Sequence, residues 1–205
     1  MPRVPVEERR QQLVDATIRV MVEQGVAAAT TRRIAAEANT TLATVHYCFE
    51  SKQALFREVI TAIVNELALP ANLELPRGVD LPALVQGLLE TMWATIELEP
   101  KRQQLTYEIT QFALREPELV ELARWQYALY NSELRRILDT LSAATGSTWT
   151  VDLDVLARMF LAAIDGVVLA WLVDGDSASA RTVLLTFGAQ LVGLARPGSV
   201  SPPVA

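Results

Sequence analysis

Residues 30–52 read TTRRIAAEANTTLATVHYCFESK, and this stretch decides the fold. Its apolar residues recur at helical spacing on either side of a short break, which predicts two helices, Thr31–Ala38 and Thr41–Phe49. Asn39 lies at the sharp turn between them, since Asn tolerates the left-handed backbone conformation better than any residue except Gly. Thr41 can cap the second helix by accepting a hydrogen bond from a free backbone N–H.

The two predicted helices have complementary faces. When Val45 is placed toward the core and each residue advances by about 100°, Phe49 falls on the same side. The plausible core partners on the preceding helix are Ile34, Ala35 and Ala38. The outward residues are Ala43, His46 and Tyr47, with Thr44 at the flank. A buried helix followed by one with a small and polar outer face is typical of a helix-turn-helix, whose second helix enters the major groove.

The rest of the chain also has helical periodicity. A stripe over Glu7–Gln24 ends at Gly25, a typical C-terminal cap, and Ser51 can cap a fourth helix. Strand-type alternation is nearly absent, so the sequence predicts an all-α protein of about nine helices without a sheet. The five further helices are expected at Leu81–Glu97, 100–115, 117–142, Asp152–Val173 and Ala178–Ala195.

The charge is distributed unevenly along the 205 residues, which carry a net charge of −6. Residues 1–57 contain eight basic and six acidic side chains, a net charge of +2. The other 148 residues contain ten basic and eighteen acidic side chains, a net charge of −8. A nucleic-acid site therefore belongs in the first quarter of the chain, since the remainder would repel phosphates.

The N-terminal pattern resembles the DNA-binding domain of the TetR family of bacterial transcriptional regulators. The resemblance covers residues 7–60 without a gap and implies a helix-turn-helix domain over 1–55, with the motif at about 30–49. It further implies a divergent effector-binding and dimerisation domain over 56–195, and residues 196–205 are expected to form a disordered tail. The matching residues are Gly25, Thr31, Ile34, Ala35, Ala38, Thr41, Thr44, Val45, Tyr47, Phe49, Ser51, Lys52, Ala54, Leu55 and Phe56.

The same resemblance implies a set of DNA contacts. Thr31, Tyr47 and Lys52 are candidates for phosphates, and Arg32 or Arg33 can add another. Partial core packing of Tyr47 and a solvated role for the three cations are the alternatives. Base edges can be approached by Ala43, Thr44 and His46. The complete predicted set is Thr31, Arg32, Arg33, Thr41, Leu42, Ala43, Thr44, His46, Tyr47 and Lys52.

Two C-terminal helices are the expected dimer interface. Leu153–Leu172 is apolar on nearly every face, and a helix of this kind must be buried on all sides. Burial against a second copy is the simple solution for a chain of this size, and packing only within the monomer is the alternative. A twofold dimer would also present two recognition helices to a palindromic operator. The predicted interface residues are Phe160, Ile164, Val168, Trp171, Val183, Phe187 and Leu191.

The resemblance implies a pocket for a small-molecule effector, whose identity and existence the sequence leaves open. Ligand pockets are mostly apolar with a few polar groups. Asp165 lies in an apolar stretch, where it can cap a neighbour, pair with Arg158 or touch an effector. The candidate pocket residues are Met92, Trp93, Tyr107, Gln111, Phe112, Trp125, Tyr127, Tyr130, Asn131 and Asp165.

Several other classes are disfavoured. The sequence lacks the Gly-rich phosphate loop, the GxSxG elbow and the HExxH motif, so an enzyme is not expected. His46 and Cys48 are the single His and Cys of the chain, too few for a structural metal site or an internal disulfide. The apolar run Met159–Val173 is broken by Asp165 and is shorter than a membrane span. We therefore expect a cytoplasmic regulator without cofactor; a helical interaction module that has lost DNA binding is the alternative.

Overall fold

The computed structural model describes residues 5–67 and 79–197, and over these ranges it confirms the all-α prediction. The described chain forms nine α-helices, two 3₁₀ turns (Val26–Ala28 and Pro117–Leu119) and one short antiparallel ladder. The elements are α1 Val6–Gln24, α2 Thr31–Glu37, α3 Leu42–Cys48, α4 Lys52–Leu67, α5 Leu81–Leu98, α6 Pro100–Arg115, α7 Val120–Thr145, β1 Thr148–Trp149, α8 Leu153–Asp174, α9 Ser177–Val192 and β2 Ala195–Arg196.

The chain divides into two compact units. The first contains the described residues up to Leu67 together with Lys101–Tyr127, and the second contains the described residues of 79–100 and 128–197. Most of α6 and the start of α7 therefore group with the N-terminal helices. The predicted domain boundaries at residues 55 and 195 stay predictions.

In the first unit, helices begin and end at the capping and turn residues that the sequence predicted. Gly25 ends α1 at φ 83°, and its N–H donates to Met21 O at 2.9 Å. Asn39 turns the chain between α2 and α3 at φ 48° and is the one described non-Gly residue with a positive φ. Thr41 Oγ1 accepts from the Thr44 N–H at 3.2 Å, and Ser51 Oγ accepts from the Ala54 N–H at 3.0 Å.

The core of the first unit forms where α1 packs against α2, α3 and α4. Burial removes apolar surface from water and is the main source of stability for helices as short as α2 and α3, which are too short to persist alone. The core side chains include Leu13, Met21, Ile34, Val45, Phe49, Leu55, Phe56 and Ile60 from the N-terminal helices, with Leu105 and Ile109 from α6.

The second unit is organised around α9, which packs against both α5 and α8. Gly188 lies where α9 meets α5, and a Cβ there would be 2.3 Å from Leu89 Cδ1. The absent side chain thus permits the close approach of the two helices. Trp93 of α5 and Trp171 of α8 pack edge to face, with ring centroids 5.3 Å apart.

The structure corrects three details of the C-terminal prediction. The stretch between the predicted helices 117–142 and Asp152–Val173 contains β1, which pairs with β2 through Thr148↔Arg196 and Trp149↔Ala195; strands of two residues are too short to show alternation. Consequently α9 ends at Val192 rather than Ala195. Arg196, expected in the disordered tail, is paired in β2, whereas residues 198–205 of that tail lie outside the described residues.

Candidate nucleic-acid interface

The outer face of α3 is the candidate reading surface. Val45, Cys48 and Phe49 are buried, which fixes the opposite face toward solvent. Ala43 and His46 are exposed, and the side chain of Tyr47 is 69 % exposed. This arrangement matches the predicted inward and outward directions. It leaves small and polar side chains exposed on a single helix, which is an element that fits into the major groove of DNA.

The N-terminus of α3 is held by two threonines. Thr41 caps the helix, and its hydroxyl lies 2.9 Å from the Thr44 hydroxyl, with either oxygen able to donate. Thr44 and Leu42 are half-buried. The hydroxyl pair gives Thr44 a fixed orientation at the flank of the reading surface, so that its methyl and hydroxyl groups face predetermined directions.

Arg10 of α1 fixes the other end of α3 and was missed by the sequence analysis. Its guanidinium donates to Cys48 O at 2.6 Å and to Glu58 Oε1 at 2.8 Å, and it lies 4.5 Å from the Phe49 ring centroid. One side chain thus joins α1, the end of α3 and α4. No sequence signal could have identified it, because its partners are 38 and 48 residues away. We call α1–α3 with these contacts the reading head.

The predicted phosphate ligands of α2 occupy its first turn. Arg32 and Arg33 are exposed and Thr31 is half-buried. The cap itself is Thr30, whose hydroxyl accepts from the Arg33 N–H at 3.2 Å, so one of the free N–H groups assigned to a phosphate is already satisfied. The two arginines give this edge of the reading head its positive charge.

Lys52, at the start of α4, has a more enclosed environment than a simple phosphate ligand. Its ammonium lies 4.9 Å from the Phe56 ring centroid and 5.5 Å from that of Phe112 on α6. Burial lowers the pKa of the Lys52 ammonium, and the nearby Glu116 carboxylate opposes this effect. Cation–π contact therefore holds a charge that is partly removed from water.

The predicted dimer residues do not share one surface. Phe160, Val168, Trp171 and Leu191 are buried inside the second unit of the single chain, Ile164 and Phe187 are half-buried, and Val183 is exposed. A different face of α8 is open to solvent: Val155, Met159, Ala162, Gly166, Leu169 and Val173 are all exposed.

The predicted effector residues are divided between the two units. Tyr107, Phe112, Trp125 and Tyr127 are half-buried in the first unit, while Gln111 is exposed. The Arg57 guanidinium lies 5.0 Å from the Trp125 ring centroid. In the second unit, Trp93 is buried against Trp171, and Met92, Tyr130, Asn131 and Asp165 are half-buried.

A small cavity of about 10 Å³ lies within the second unit. It has room for a single water molecule at most, and its lining is apolar. None of the predicted effector residues lines it: the lining consists of Val85, Leu88, Leu89, Leu134, Ile137, Leu138, Leu141, Phe160 and Leu191. In the described ranges there is also no group of three or more His, Cys, Asp or Glu side chains arranged to hold a metal ion.

These features define a class of protein. A compact head that presents one short helix, capped by a Thr and preceded across a tight turn by a second short helix packed against the core, is a helix-turn-helix DNA-binding module. Residues 13–59 match the family model of the bacterial regulatory proteins of the tetR family. Residues 82–195 match that of the C-terminal domain of BetI-type transcriptional repressors.

The similarity extends to whole relatives. The chain is 30 % identical over 172 residues to the HTH-type nicotine-responsive transcriptional repressor HdnoR of Paenarthrobacter nicotinovorans, covering 84 % of this chain and 88 % of that protein. A transcriptional regulator from Rhodococcus sp. Rha1 shares the fold with a TM-score of 0.67 at 21 % identity, covering 94 % and 99 % of the chains. The multidrug binding protein EbrR, solved with proflavin, aligns with a TM-score of 0.55 at 27 % identity over 87 % and 99 %.

The chain belongs to the TetR family and is a DNA-binding transcriptional regulator. This confirms the family predicted from residues 7–60 and the predicted role in transcription regulation. Members of the family are transcription factors rather than enzymes, and they bind DNA and act as dimers.

Proposed function

We propose that the chain is a repressor that binds a palindromic operator as a homodimer and is released by a small organic effector. The observation that carries this proposal is the solvent-facing side of α3, where Ala43, His46 and Tyr47 project from a helix anchored at both ends. Thr41 anchors the first end and Arg10 the second. A rigidly held helix pays little ordering entropy when it enters the major groove.

The division of labour on α3 follows from side-chain chemistry. Ala43 and His46 lie on the exposed face and can meet thymine methyls and base acceptors or donors. The Tyr47 hydroxyl, Arg32 and Arg33 suit phosphates, which set register without reading sequence. Lys52 can contact a phosphate as well only if its ammonium moves away from the Phe56 and Phe112 rings.

The dimer proposal is supported by the spacing of the exposed residues of α8. Val155, Met159, Ala162, Gly166, Leu169 and Val173 are separated alternately by four and three residues, which is the heptad spacing of a helix–helix seam. Ala162 and Gly166 at its centre allow close approach of a second helix. Alongside it, α8 and α9 form an open groove of about 370 Å³ that includes Gly166, Trp171 and Val183.

A second copy is a better cover for this surface than lipid. Of the described helices, α8 is the one long and apolar enough to cross a membrane by its length and composition, with one third of the relevant window buried within the chain. Asp165 lies near its middle, where a carboxylate costs several kcal/mol, about 2.5–3.5, in a bilayer. A small-residue seam at heptad spacing is a protein-facing feature.

Effector release is supported by the relatives. HdnoR is named as responsive to nicotine, and EbrR was solved with proflavin, so a nitrogen-containing aromatic molecule is the ligand class we propose for this chain. Several of its aromatic side chains, among them Tyr107, Trp125 and Tyr127, are only half-buried. An effector releases the operator only if it binds more tightly to the conformation that does not fit DNA.

The test is in-vitro selection of the purified protein against random double-stranded DNA, followed by titration of the selected fragment at two salt concentrations. We expect a palindrome, one dimer bound per fragment and an affinity that falls steeply with salt. Nicotine and proflavin are then added to the complex, and release by either supports the effector class. Recovery of no sequence motif would support the alternative of an interaction module instead.

A further inference from the structure

Glu108 of α6 makes a hydrogen bond to the reading head, and the proposed function gives this bond no role. Its Oε1 accepts from the Val26 N–H at 2.8 Å. Val26 begins the 3₁₀ turn that follows α1, and N–H groups in a first turn have no partner within their own helix. The Val26 side chain is completely buried, so water is a poor substitute for the carboxylate. A bond from an amide to a carboxylate is also stronger than a neutral one.

Gly25 provides independent support for the same contact. A Cβ at this position would lie 2.8 Å from Glu108 Oε1, closer than real Cβ atoms come to oxygen. Its φ of 83° is in addition a conformation that other residues adopt only with strain. The glycine thus leaves the space that the Glu108 carboxylate occupies, and a larger residue at position 25 would displace the end of that side chain.

Consecutive backbone hydrogen bonds hold the segment between Val26 and α2. The Ala28 N–H donates to Gly25 O at 3.2 Å, the Ala29 N–H to Val26 O at 3.1 Å, and the Thr30 N–H to Ala28 O at 2.8 Å. Thr30 then caps α2, and α2 packs against α3. A shift at Val26 is therefore passed to the start of α2 and on to the recognition helix.

We propose that Glu108 is a positioning residue for DNA recognition: by holding the Val26 N–H, it sets where α2 and α3 stand relative to α1. The inference rests on the proposed function, because it assigns Glu108 a role in how tightly the reading head binds its operator. Glu108 itself touches no DNA. Loss of its carboxylate acceptor leaves a buried donor unsatisfied, and the segment must shift to reach another acceptor.

The test compares Glu108→Ala and Glu108→Gln with Glu121→Ala in the full-length protein. The Gln variant keeps an acceptor oxygen at the same reach. Glu121 lies in the same unit but is exposed, and it pairs only with Arg124 three residues away in the described contacts, so its removal controls for the lost negative charge. The fraction of each protein that is able to bind DNA is first determined by titration. Affinity for the selected operator, affinity for unrelated DNA and hydrogen exchange at the Val26 amide are then measured.

We expect Glu108→Ala to weaken operator binding about tenfold, the size of effect typical for a hydrogen bond to a charged group, while binding to unrelated DNA does not weaken. The Val26 amide should exchange faster in this variant alone. Glu108→Gln should remain within about threefold of the wild type in affinity. Charge loss by itself raises DNA affinity, so a fall in Glu108→Ala that is absent in Glu121→Ala identifies positioning.

Equal operator affinities for Glu108→Ala and Glu121→Ala, with faster exchange at Val26 in the former, would overturn the proposal and leave the bond a purely structural one. A loss of active fraction without a change in dissociation constant would do the same. If the wild type itself selects no DNA sequence, the proposed function fails; if it selects an operator that Glu108→Ala and Glu121→Ala bind equally well, only the positioning role fails.

Discussion

At the scale of single residues, the reading surface combines groups with different tasks. His46 and Ala43 face outward from α3 with nothing in the described part of the chain covering them, whereas Thr44 is tied to Thr41 and Lys52 lies on two aromatic rings. Exposed groups that make no internal contact can adapt to a base pair. Groups held by the protein are better suited to fix the register of the helix on DNA.

His46→Ala should change which sequence is preferred. The imidazole is exposed on the outer face of α3, and a contact to one base edge is worth about 1–3 kcal/mol of discrimination. Repeating the selection with this variant should give a palindrome altered at one position per half-site. Tyr47→Phe is the matched control, since loss of a phosphate contact should weaken all sequences alike. An unchanged motif for His46→Ala would remove His46 from the base-reading set.

Lys52→Met should make the protein more stable and a weaker DNA binder. Burial lowers the pKa of the Lys52 ammonium, which means that the folded state disfavours its charged form, and a cation in the first turn of α4 also opposes the helix dipole. Because the pKa in the folded protein lies below the unfolded value, the gain from Met should be present at neutral pH and vanish at strongly alkaline pH.

Thermal unfolding and salt titration check this prediction. We expect a higher melting temperature and a slope of log affinity against log salt that is smaller by about one, as for one lost phosphate contact. Lys101→Met removes the other lysine of the first unit, which is exposed, and should leave the slope unchanged. A slope equal to that of the wild type would show that Lys52 stays on its rings when DNA is bound.

At the scale of elements, helices α5, α8 and α9 each contain a glycine, and the three glycines lie in different surroundings. Gly188 of α9 is in contact with α5, whereas Gly87 of α5 and Gly166 of α8 have nothing within 4 Å of a Cβ position. Three helical glycines thus have different roles. Gly188 permits packing within the chain, and Gly166 lies on the seam proposed for a second copy.

Gly188→Val and Gly87→Ala should change stability in opposite directions. The Val side chain would collide with Leu89, which is buried in the packed core, so overpacking should cost about 1–3 kcal/mol. Ala at position 87 meets open space and improves helix propensity, with an expected gain of about 0.5–1 kcal/mol. Denaturant unfolding of both variants measures the two effects, and a stabilised Gly188→Val would refute the close α5–α9 contact.

At the scale of the whole molecule, the dimer proposal makes the exposed α8 seam the surface on which the oligomeric state depends. Leu169→Arg places a cation within the seam and should convert the dimer to monomers, with a large loss of operator affinity because two linked half-sites are no longer bound together. Leu98→Arg is the matched control: Leu98 is 81 % exposed at the end of α5 and lies outside the seam. Light scattering and operator titration give the result, and a dimeric Leu169→Arg protein would exclude this interface.

The sequence by itself predicted the helices, the end of α1, the turn before α3, the caps of α3 and α4, and the outward face of α3. Gly25, Asn39, Thr41 and Ser51 act through hydrogen bonds and backbone angles within a few residues, so local pattern is sufficient to place them. The outward face of α3 followed for the same reason, because its amphipathic period is clear over a single helix.

Only the tertiary structure decided which face of α8 is free, how Arg10 and Glu108 hold the reading head, and where Lys52 lies. A helix that is apolar on every face does not reveal from its sequence which side points toward the core. Burial of Phe160, Val168 and Trp171 against a partner could therefore not be distinguished from burial within the chain. Contacts between residues tens of positions apart depend on how helices pack, and that packing is a cooperative property of the whole core that no local pattern encodes.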